Sequence, residues 1–248
     1  MSTLIIDIET VGEEWDSFDA VTKDVLTRWL HKTTTDKEEY QAKLDDIKNG
    51  LGFSPLTGFV VALGVYDLER KQGTVYYQNS GEATDERIGS FWYRARSETA
   101  MLAEFWEGVA QYETIVTFNG RMFDIPFLLH RSVANTVVPT VDLMRYRYLT
   151  QQIPPYHVDL ADQLTFYGAM TKRPSLHMFC RAYGIESPKS HGVAGDDVAA
   201  LFAQGRSRDI AVYNTHDLLA TALLYEKWRT YLAPPLFRKP AEEIDFLE

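Results

Sequence analysis

Runs and periodic spacings of apolar side chains divide most of the chain into predicted strands and helices. Residues 3–8 form a short, continuous apolar run, which is typical of a central strand that is buried on both faces. Further strands are predicted over residues 59–68, 74–78, 91–96 and 114–118. Strands are therefore concentrated in the first half of the chain.

Helices are predicted to fill most of the second half. They are expected over residues 20–31, 36–48, 97–112, 123–134, 158–167, 175–183, 195–204 and 207–232. Strands first, then alternating strands and helices, then helices alone predict one mixed α/β domain over residues 1–235. Within it, residues 13–57 are predicted to be an insertion. Residues 236–248, which follow Pro234-Pro235, are predicted to be a loosely attached tail.

Charge narrows the classes of function. The chain has 248 residues, with 25 Lys and Arg against 35 Asp and Glu, and therefore a net charge of −10. Domains that bind nucleic acid through a general basic surface usually have a high pI, so this class is disfavoured. Residues 121–189 are an exception, with 8 basic and 5 acidic side chains. A local basic groove in that segment therefore stays compatible with the sequence.

Cysteine content and hydropathy bear on where the protein works. The single cysteine, Cys180, excludes an internal disulfide framework and a zinc site built on several cysteines. It is compatible with a reducing compartment. No run approaches the roughly 18 apolar residues of a membrane span, and the first residues do not follow the pattern of a signal peptide. The sequence therefore predicts a cytoplasmic protein.

Candidate chemistry begins at Asp7-Ile8-Glu9, at the predicted end of the first strand. Side chains two positions apart on a strand point to the same face, which brings two carboxylates together. Buried like charges repel and are costly to desolvate, and a bound divalent cation resolves both problems. The alternative is a strand that runs out into a polar loop with both acids in water.

Two more acidic positions fall at predicted turns or buried helix faces. Asn119-Gly120 predicts a sharp turn, and Asp124 follows it at a helix start, where it could instead be a simple N-cap. Tyr213 and Asp217 lie four residues apart and share one face of the last helix, a face that continues as apolar residues. An aspartate there needs a partner, which could be Tyr213 alone.

Together and in this order, these residues resemble a known family. Asp7-Ile8-Glu9-Thr10, the segment from Asn119 to Asp124, and Tyr213 with Asp217 resemble the three motifs of the DEDD 3′–5′ exonucleases. The resemblance is greatest to the tyrosine subclass, and within it to the proofreading exonuclease domain of family B DNA polymerases. The histidine subclass has a His where this chain has Val212. Residues 193–224 also resemble stand-alone bacterial relatives of that domain.

The resemblance implies a ribonuclease H-like fold, a mixed sheet with helices packed on it, and a nuclease site. It implies that Asp7, Glu9, Asp124 and Asp217 hold two divalent cations, Mg²⁺ or Mn²⁺. It implies that Tyr213 orients the attacking water. The expected reaction is hydrolysis at the single-stranded or frayed 3′ end of DNA or RNA, with release of 5′-nucleoside monophosphates. Because no polymerase module follows the third motif, a free-standing nuclease is expected.

The resemblance also suggests substrate contacts. The backbone of Thr10 and Val11 is expected to meet the terminal nucleotide, and Asn119 and Phe123 are expected to contact the strand. Phe127, one turn further, is expected to be core. Arg121, Arg131, Lys172, Arg173 and Lys189 form the predicted phosphate track. Asp142, Asp159 and the pair His177 and Cys180 are expected to have structural roles.

Two other functions stay open at this stage. One is a nucleic-acid-binding module that has kept the fold without activity, although the presence of all four carboxylates and Tyr213 argues against decay. The other is a metal-dependent, structure-specific endonuclease on the same fold. The sequence does not distinguish DNA from RNA, because no residue can be identified that would contact a 2′-hydroxyl.

Overall fold

The structure is a computed structural model that describes residues 2–34, 36–79, 84–187 and 195–238. Three sequence predictions lie outside these residues. They are the role of Lys189 in a phosphate track, the first two residues of the segment 193–224, and most of the tail, residues 239–248.

A single mixed sheet of seven strands runs through the described part of the chain. The strands are β1 (Thr3–Gly12), β2 (Gly58–Asp67), β3 (Gln72–Tyr77), β4 (Asp85–Ile88), β5 (Phe91–Ala95), β6 (Thr114–Thr117) and β7 (Tyr156–Asp159). Their order across the sheet is β4-β5-β3-β2-β1-β6-β7. β1 pairs antiparallel with β2 and parallel with β6, and β6 pairs parallel with β7. β1 is therefore an inner strand whose carboxyl end lies beside that of β6.

Helices cover both faces of this sheet. They are α1 (Ala20–Thr27), α2 (Leu30–Thr33), α3 (Lys37–Gly50), α4 (Glu98–Val109), α5 (Asp124–Ala134), α6 (Leu160–Leu164), α7 (Leu176–Tyr183), α8 (Val198–Ala203) and α9 (Ser207–Tyr231). α4 and α5 share one buried cluster with the sheet, and α7, α8 and α9 share the other. This is the mixed sheet with flanking helices that the resemblance implied.

The alternation of side chains along β1 assigns its acids to one face. Leu4, Ile6 and Ile8 belong to the cluster under α4 and α5, whereas Ile5 belongs to the cluster under α9. Because side chains on a strand alternate, Asp7 and Glu9 lie on the α9 side. The alternation thus directs both carboxylates toward the helix that carries the third motif.

Some predicted elements differ from the structure. The helix predicted over 158–167 is instead β7 followed by α6, because residues 156–159 pair with β6, and a short apolar run does not by itself distinguish strand from helix. β4 was missed because its four residues are exposed and lack an apolar pattern. β1 continues past Ile8 because its pairing with β2 extends to Gly12, so Asp7 and Glu9 lie within the strand.

The segment 13–57 leaves and rejoins the sheet at one place. The Glu13 N–H donates to the Thr57 carbonyl over 2.8 Å, which closes the base of the excursion that carries α1, α2 and α3. The start of the predicted loose tail is in fact attached, because Phe237 is buried against the rings of Tyr156 and Trp228. No helix in the described ranges is both long and apolar enough to cross a membrane.

Candidate active site

Three carboxylates from distant parts of the sequence meet on the α9 side of β1. One carboxylate oxygen each from Asp7, Glu9 and Asp217 lies within 4.8 Å of the others. Asp7 and Glu9 come from adjacent same-face positions of β1, and Asp217 comes from the middle of α9, which packs against β1, β2 and β3. Hard oxygen ligands at this spacing suit a divalent cation.

Asp124 lies beside this group but is held differently. After β6 the chain turns at Asn119, whose φ of 65° is left-handed, and α5 begins at Asp124. The Ile8 N–H donates to Asp124 Oδ1 over 3.2 Å, which ties the second motif to the first. The cap position of α5 is occupied by Phe123, so Asp124 is not the N-cap that the sequence left open. Asp124 is also not part of the three-residue group.

Burial and mutual repulsion disfavour the charged forms of these acids. Burial raises the pKa of Asp7 and Glu9 well above their ordinary values, and the charges of Asp217 and Asp124 raise both further. Burial also raises the pKa of Asp124 to about 7, although hydrogen bonds from backbone N–H groups oppose that rise. A cluster that resists ionisation in this way is stabilised by an added positive charge.

Tyr213 lies one helical turn before Asp217 and is buried against the cluster. Burial raises the pKa of its hydroxyl, and the neighbouring charges of Asp217, Glu9 and Asp7 raise it further. The hydroxyl also makes a hydrogen bond with Asp217. Tyr213 is therefore a neutral hydrogen-bonding group at this site rather than a proton acceptor.

Asn214 belongs to the site and was missed in the sequence analysis. Its buried side-chain amide donates from Nδ2 to Asp7 Oδ2 over 2.7 Å, and a hydrogen bond from Asn214 lowers the pKa of Glu9. The sequence contains one indication of this role, because Asn214 is three residues before Asp217 and therefore lies on the same face of α9. Sequence alone did not show that this face lies on β1.

Gly64 makes room for that amide. It pairs with Asp7 across β1 and β2, and a Cβ atom built at Gly64 would lie 1.9 Å from Asn214 Oδ1. An isolated glycine inside an apolar strand often marks such a close approach. Gly64 is therefore a second residue of the site that sequence reasoning overlooked.

The predicted substrate contacts occupy different environments. The Thr10 hydroxyl donates to the Gly52 carbonyl over 2.7 Å, and the Val11 side chain is buried. Both residues line a cavity of about 900 Å³ between β1, the segment 13–57 and α8. Phe123 is half-buried and packs against Phe127, which is core as expected.

Two arginines of the predicted phosphate track are used inside the protein. Arg121 donates to the carbonyls of Leu143 and Met144 over 3.2 and 3.1 Å, and burial lowers its pKa. Arg131 forms a largely buried ion pair with Glu98 over 2.8 Å. Both guanidinium groups therefore have partners within the protein, and the prediction that Arg121 and Arg131 contact phosphates is corrected.

The residues expected to be structural are engaged in the fold. Asp159 is buried, accepts from the N–H groups of Asn119 and Arg121 over 3.0 and 2.9 Å, and caps α6. Cys180 is buried, which raises its pKa to about 12. His177 contacts Ser187 rather than Cys180. Asp159 thus stabilises the turn that precedes Asp124, although it is not one of the three clustered carboxylates Asp7, Glu9 and Asp217.

Comparison with known proteins places this geometry in context. No curated protein sequence matches the chain. Among solved structures, a family B DNA polymerase from the hyperthermophilic archaeon Pyrobaculum calidifontis is similar, with a TM-score of 0.55 and 18% sequence identity. The match covers 92% of this chain and 24% of the polymerase chain. At this identity the likeness establishes the fold alone.

A family model adds a sequence-level match. The model of a predicted 3′–5′ exonuclease related to the exonuclease domain of PolB matches residues 73–234, which include Asp124, Tyr213 and Asp217. Asp7 and Glu9 lie before the matched range, but β1 brings them against Asp217. The chain belongs to the family of predicted 3′–5′ exonucleases related to the exonuclease domain of PolB.

Proposed function

We propose that this protein is a metal-dependent 3′–5′ exonuclease that releases 5′-nucleoside monophosphates from single-stranded ends. The convergence of Asp7, Glu9 and Asp217 oxygens within 4.8 Å carries the proposal. These acids come from β1 and α9, so the arrangement depends on the whole fold. A cluster with this burial and repulsion is expensive to keep unless it binds something positive.

The residues present fit divalent cations. Asp7, Glu9 and Asp217 offer hard oxygen ligands, and among the described residues no Lys, Arg or His forms an ion pair with Asp7 or Glu9. The donor set favours Mg²⁺ or Mn²⁺ over softer metals. Asp124 is proposed to complete a two-ion site from its place beside the cluster. Bound ions would polarise the scissile phosphate, acidify a water and stabilise the departing 3′ oxygen.

The chain's own groups hold and orient the reactants. Tyr213 is proposed to hydrogen-bond the attacking water and align it, because its raised pKa keeps the hydroxyl protonated. Asn214 donates to Asp7 and thereby fixes the direction of one metal ligand. The Ile8 N–H does the same for Asp124. Loss of a positioning contact of this kind typically costs roughly 10- to 100-fold in metal affinity or activity.

The substrate is proposed to be a single strand or a frayed 3′ end, with DNA favoured. The family model is related to the exonuclease domain of PolB, and the fold is similar to part of a family B DNA polymerase. Both support DNA, and RNA stays an alternative substrate of the same chemistry. Thr10 and Val11 are proposed to meet the terminal nucleotide through their backbone, and Asn119 and Phe123 to contact the strand beside it. Thr10 and Val11 line a cavity of about 900 Å³, a volume within the range of small-ligand sites, which supports this proposal.

The test is cleavage of 5′-labelled DNA and RNA strands with Mg²⁺ or Mn²⁺, resolved by length. We expect stepwise shortening from the 3′ end, release of mononucleotides, and complete loss of both with EDTA or in Asp7→Asn. Internal cuts would identify an endonuclease, and binding without turnover would identify a non-catalytic module. Cleavage that persists in purified Asp7→Asn would refute the proposed site.

A further inference from the structure

Exposed aromatic and basic side chains are interleaved on the surface beside the turn that precedes Asp124. The group, called here the basic–aromatic surface, consists of Arg145, Tyr146, Arg147, Tyr148, Phe166, Lys172 and Arg173. Tyr146, Tyr148 and Phe166 are 42%, 47% and 58% exposed, although large aromatic side chains are usually buried. The proposed catalytic chemistry does not use any of these residues.

Direct contacts connect this surface to the active-site turn. Arg147 and Arg173 both pair with the buried Asp162, over 2.8 and 3.2 Å. Arg173 also contacts Met122, and it lies 4.0 Å from Asp159, which binds the backbone of the turn. The surface thus begins within a few residues of Asp124 and extends away from it along the β7 edge of the sheet.

Hydrogen bonds with the Gln152 side chain fix the position of the segment that carries Tyr146. Gln152 donates to the Tyr146 carbonyl over 2.9 Å and accepts from the His157 N–H over 2.6 Å. His157 is itself buried and bonded to Leu143 and Thr117. The aromatic rings are therefore presented by an ordered backbone, which lowers the entropic cost of binding a strand.

Phe166 is presented by an unusual turn. Phe166 and Tyr167 have consecutive left-handed φ angles of 51° and 56°, a conformation that non-glycine residues seldom adopt. The Tyr167 hydroxyl accepts from Gln163 over 2.7 Å and from the Leu149 N–H over 3.2 Å, and its ring lies 4.7 Å from that of Tyr148. These contacts maintain a turn that directs an apolar ring into water. Strained backbone of this kind is concentrated at functional sites.

The charges favour an anion with stackable rings. Arg147 and Arg173 pair with Asp162, and Arg173 also lies 4.0 Å from Asp159, so these two arginines are matched by two carboxylates. In the described part of the chain neither Arg145 nor Lys172 forms an ion pair, which leaves two positive charges for a ligand. The Arg145 guanidinium lies 5.5 Å from the Tyr146 ring, so a cation and a ring face are offered together. Single-stranded nucleic acid offers both partners, since its phosphates are anionic and its bases stack on aromatic side chains.

We infer that the basic–aromatic surface binds the single strand on the 5′ side of the cleaved bond. This inference rests on the proposed function for its direction, since it takes the 3′ end to lie at the carboxylates. Bases stack on Tyr146, Tyr148 and Phe166, and Arg145 and Lys172 contact the phosphates. The surface keeps Lys172 and Arg173 from the predicted phosphate track, and Arg145 and Arg147 take the place of Arg121 and Arg131.

Binding is measured without cleavage, in EDTA, by fluorescence anisotropy of 5′-labelled oligodeoxythymidines of about 20 and about 5 nucleotides. We expect Tyr146→Ala and Arg145→Gln each to weaken binding of the long strand by roughly tenfold, and to leave the short strand nearly unchanged. Arg145→Gln should also reduce the dependence of log K on log salt by about 0.7. Tyr146→Phe should retain affinity, because the ring face remains.

Arg87→Ala is the matched control. Arg87 also lies over an aromatic ring, that of Trp92 at 5.7 Å, but on β4 at the opposite edge of the sheet. Unchanged long-strand affinity in Tyr146→Ala and Arg145→Gln, equal losses in Arg87→Ala, or no binding by the unmodified protein would each overturn the inference. If cleavage is absent but this binding pattern is observed, the exonuclease proposal is wrong and the inference that the basic–aromatic surface binds a single strand is supported. If cleavage is intact and the pattern is absent, only the surface fails.

Discussion

Replacing Asp217 with asparagine tests two properties of the carboxylate cluster separately: the loss of stability that its charges cause in the metal-free protein, and its role in metal binding and cleavage. Asp217→Asn keeps the shape of the side chain and removes one charge from three that lie within 4.8 Å. Two unit charges at that distance repel by about 3.5 kcal/mol at an effective dielectric constant near 20. Proton uptake and relaxation reduce the measured gain, so we expect the metal-free variant to be about 2 kcal/mol more stable than the wild type at pH 8.

Thermal unfolding with and without metal measures this difference. For a chain of this size, about 2 kcal/mol corresponds to a rise in Tm of roughly 4–8 °C in EDTA. Saturating Mn²⁺ should raise the Tm of the wild type, by an amount that grows with concentration over Kd, and should leave the variant nearly unchanged. Cleavage should be abolished in the variant. The same substitution is thus expected to stabilise the free protein and to remove its metal response.

Asp209→Asn is the control on the same helix. Asp209 pairs with Arg206 over 2.7 Å at an exposed position, so its replacement should change stability by less than about 1 kcal/mol and leave the metal response intact. If Asp217→Asn lowers the Tm in EDTA while Asp209→Asn does not, the carboxylates do not repel one another in the free protein. The reasoning from burial and charge would then be refuted.

Three further substitutions test individual contacts. Gly64→Ala should lower the free energy of unfolding by about 1–3 kcal/mol and reduce kcat, because the added Cβ meets the Asn214 amide. Gly108→Ala is the control, since no atom lies within 4 Å of its Cβ, and it should leave stability unchanged or raise it. Urea unfolding measures the stability of both variants, and turnover measures their kcat. Tyr213→Phe should lower kcat up to roughly 100-fold with little change in KM, and unchanged kcat would exclude its role in aligning water. Burial and the nearby Arg121 charge lower the pKa of His157 from 6.5 to about 4, so the unfolded chain takes up a proton first and acid destabilises the fold. Between pH 7 and pH 5 the wild type should lose roughly 2 kcal/mol more than His157→Gln, and parallel losses would contradict this.

Some features of the active site could be predicted because they depend on local sequence. The same-face placement of Asp7 and Glu9 follows from the two-residue period of a strand, and that of Tyr213 and Asp217 follows from the period of a helix. The core position of Phe127 follows from its spacing along α5. The order of the three motifs then identified the family, which the family model confirms.

Other features were decided by contacts between distant segments. β7 is a strand because β6 lies beside it, although its own residues are equally compatible with a helix. From the sequence, Arg121 and Arg131 are predicted to be cations available to a phosphate. In the fold, Arg121 donates to two backbone carbonyls and Arg131 pairs with Glu98. A charged residue's role depends on its neighbours in space, which a linear pattern does not contain.

The division between the two sources of information is physical. By itself the sequence determined which acids exist, which face of their own strand or helix they occupy, and that they resemble an exonuclease set. Only the tertiary structure decided that α9 lies across β1, so that Asn214 reaches Asp7 through the space left by Gly64. Local periodicity sets the direction of a side chain, whereas the raised pKa values and the close approach of three carboxylates arise only when packing removes water from between them.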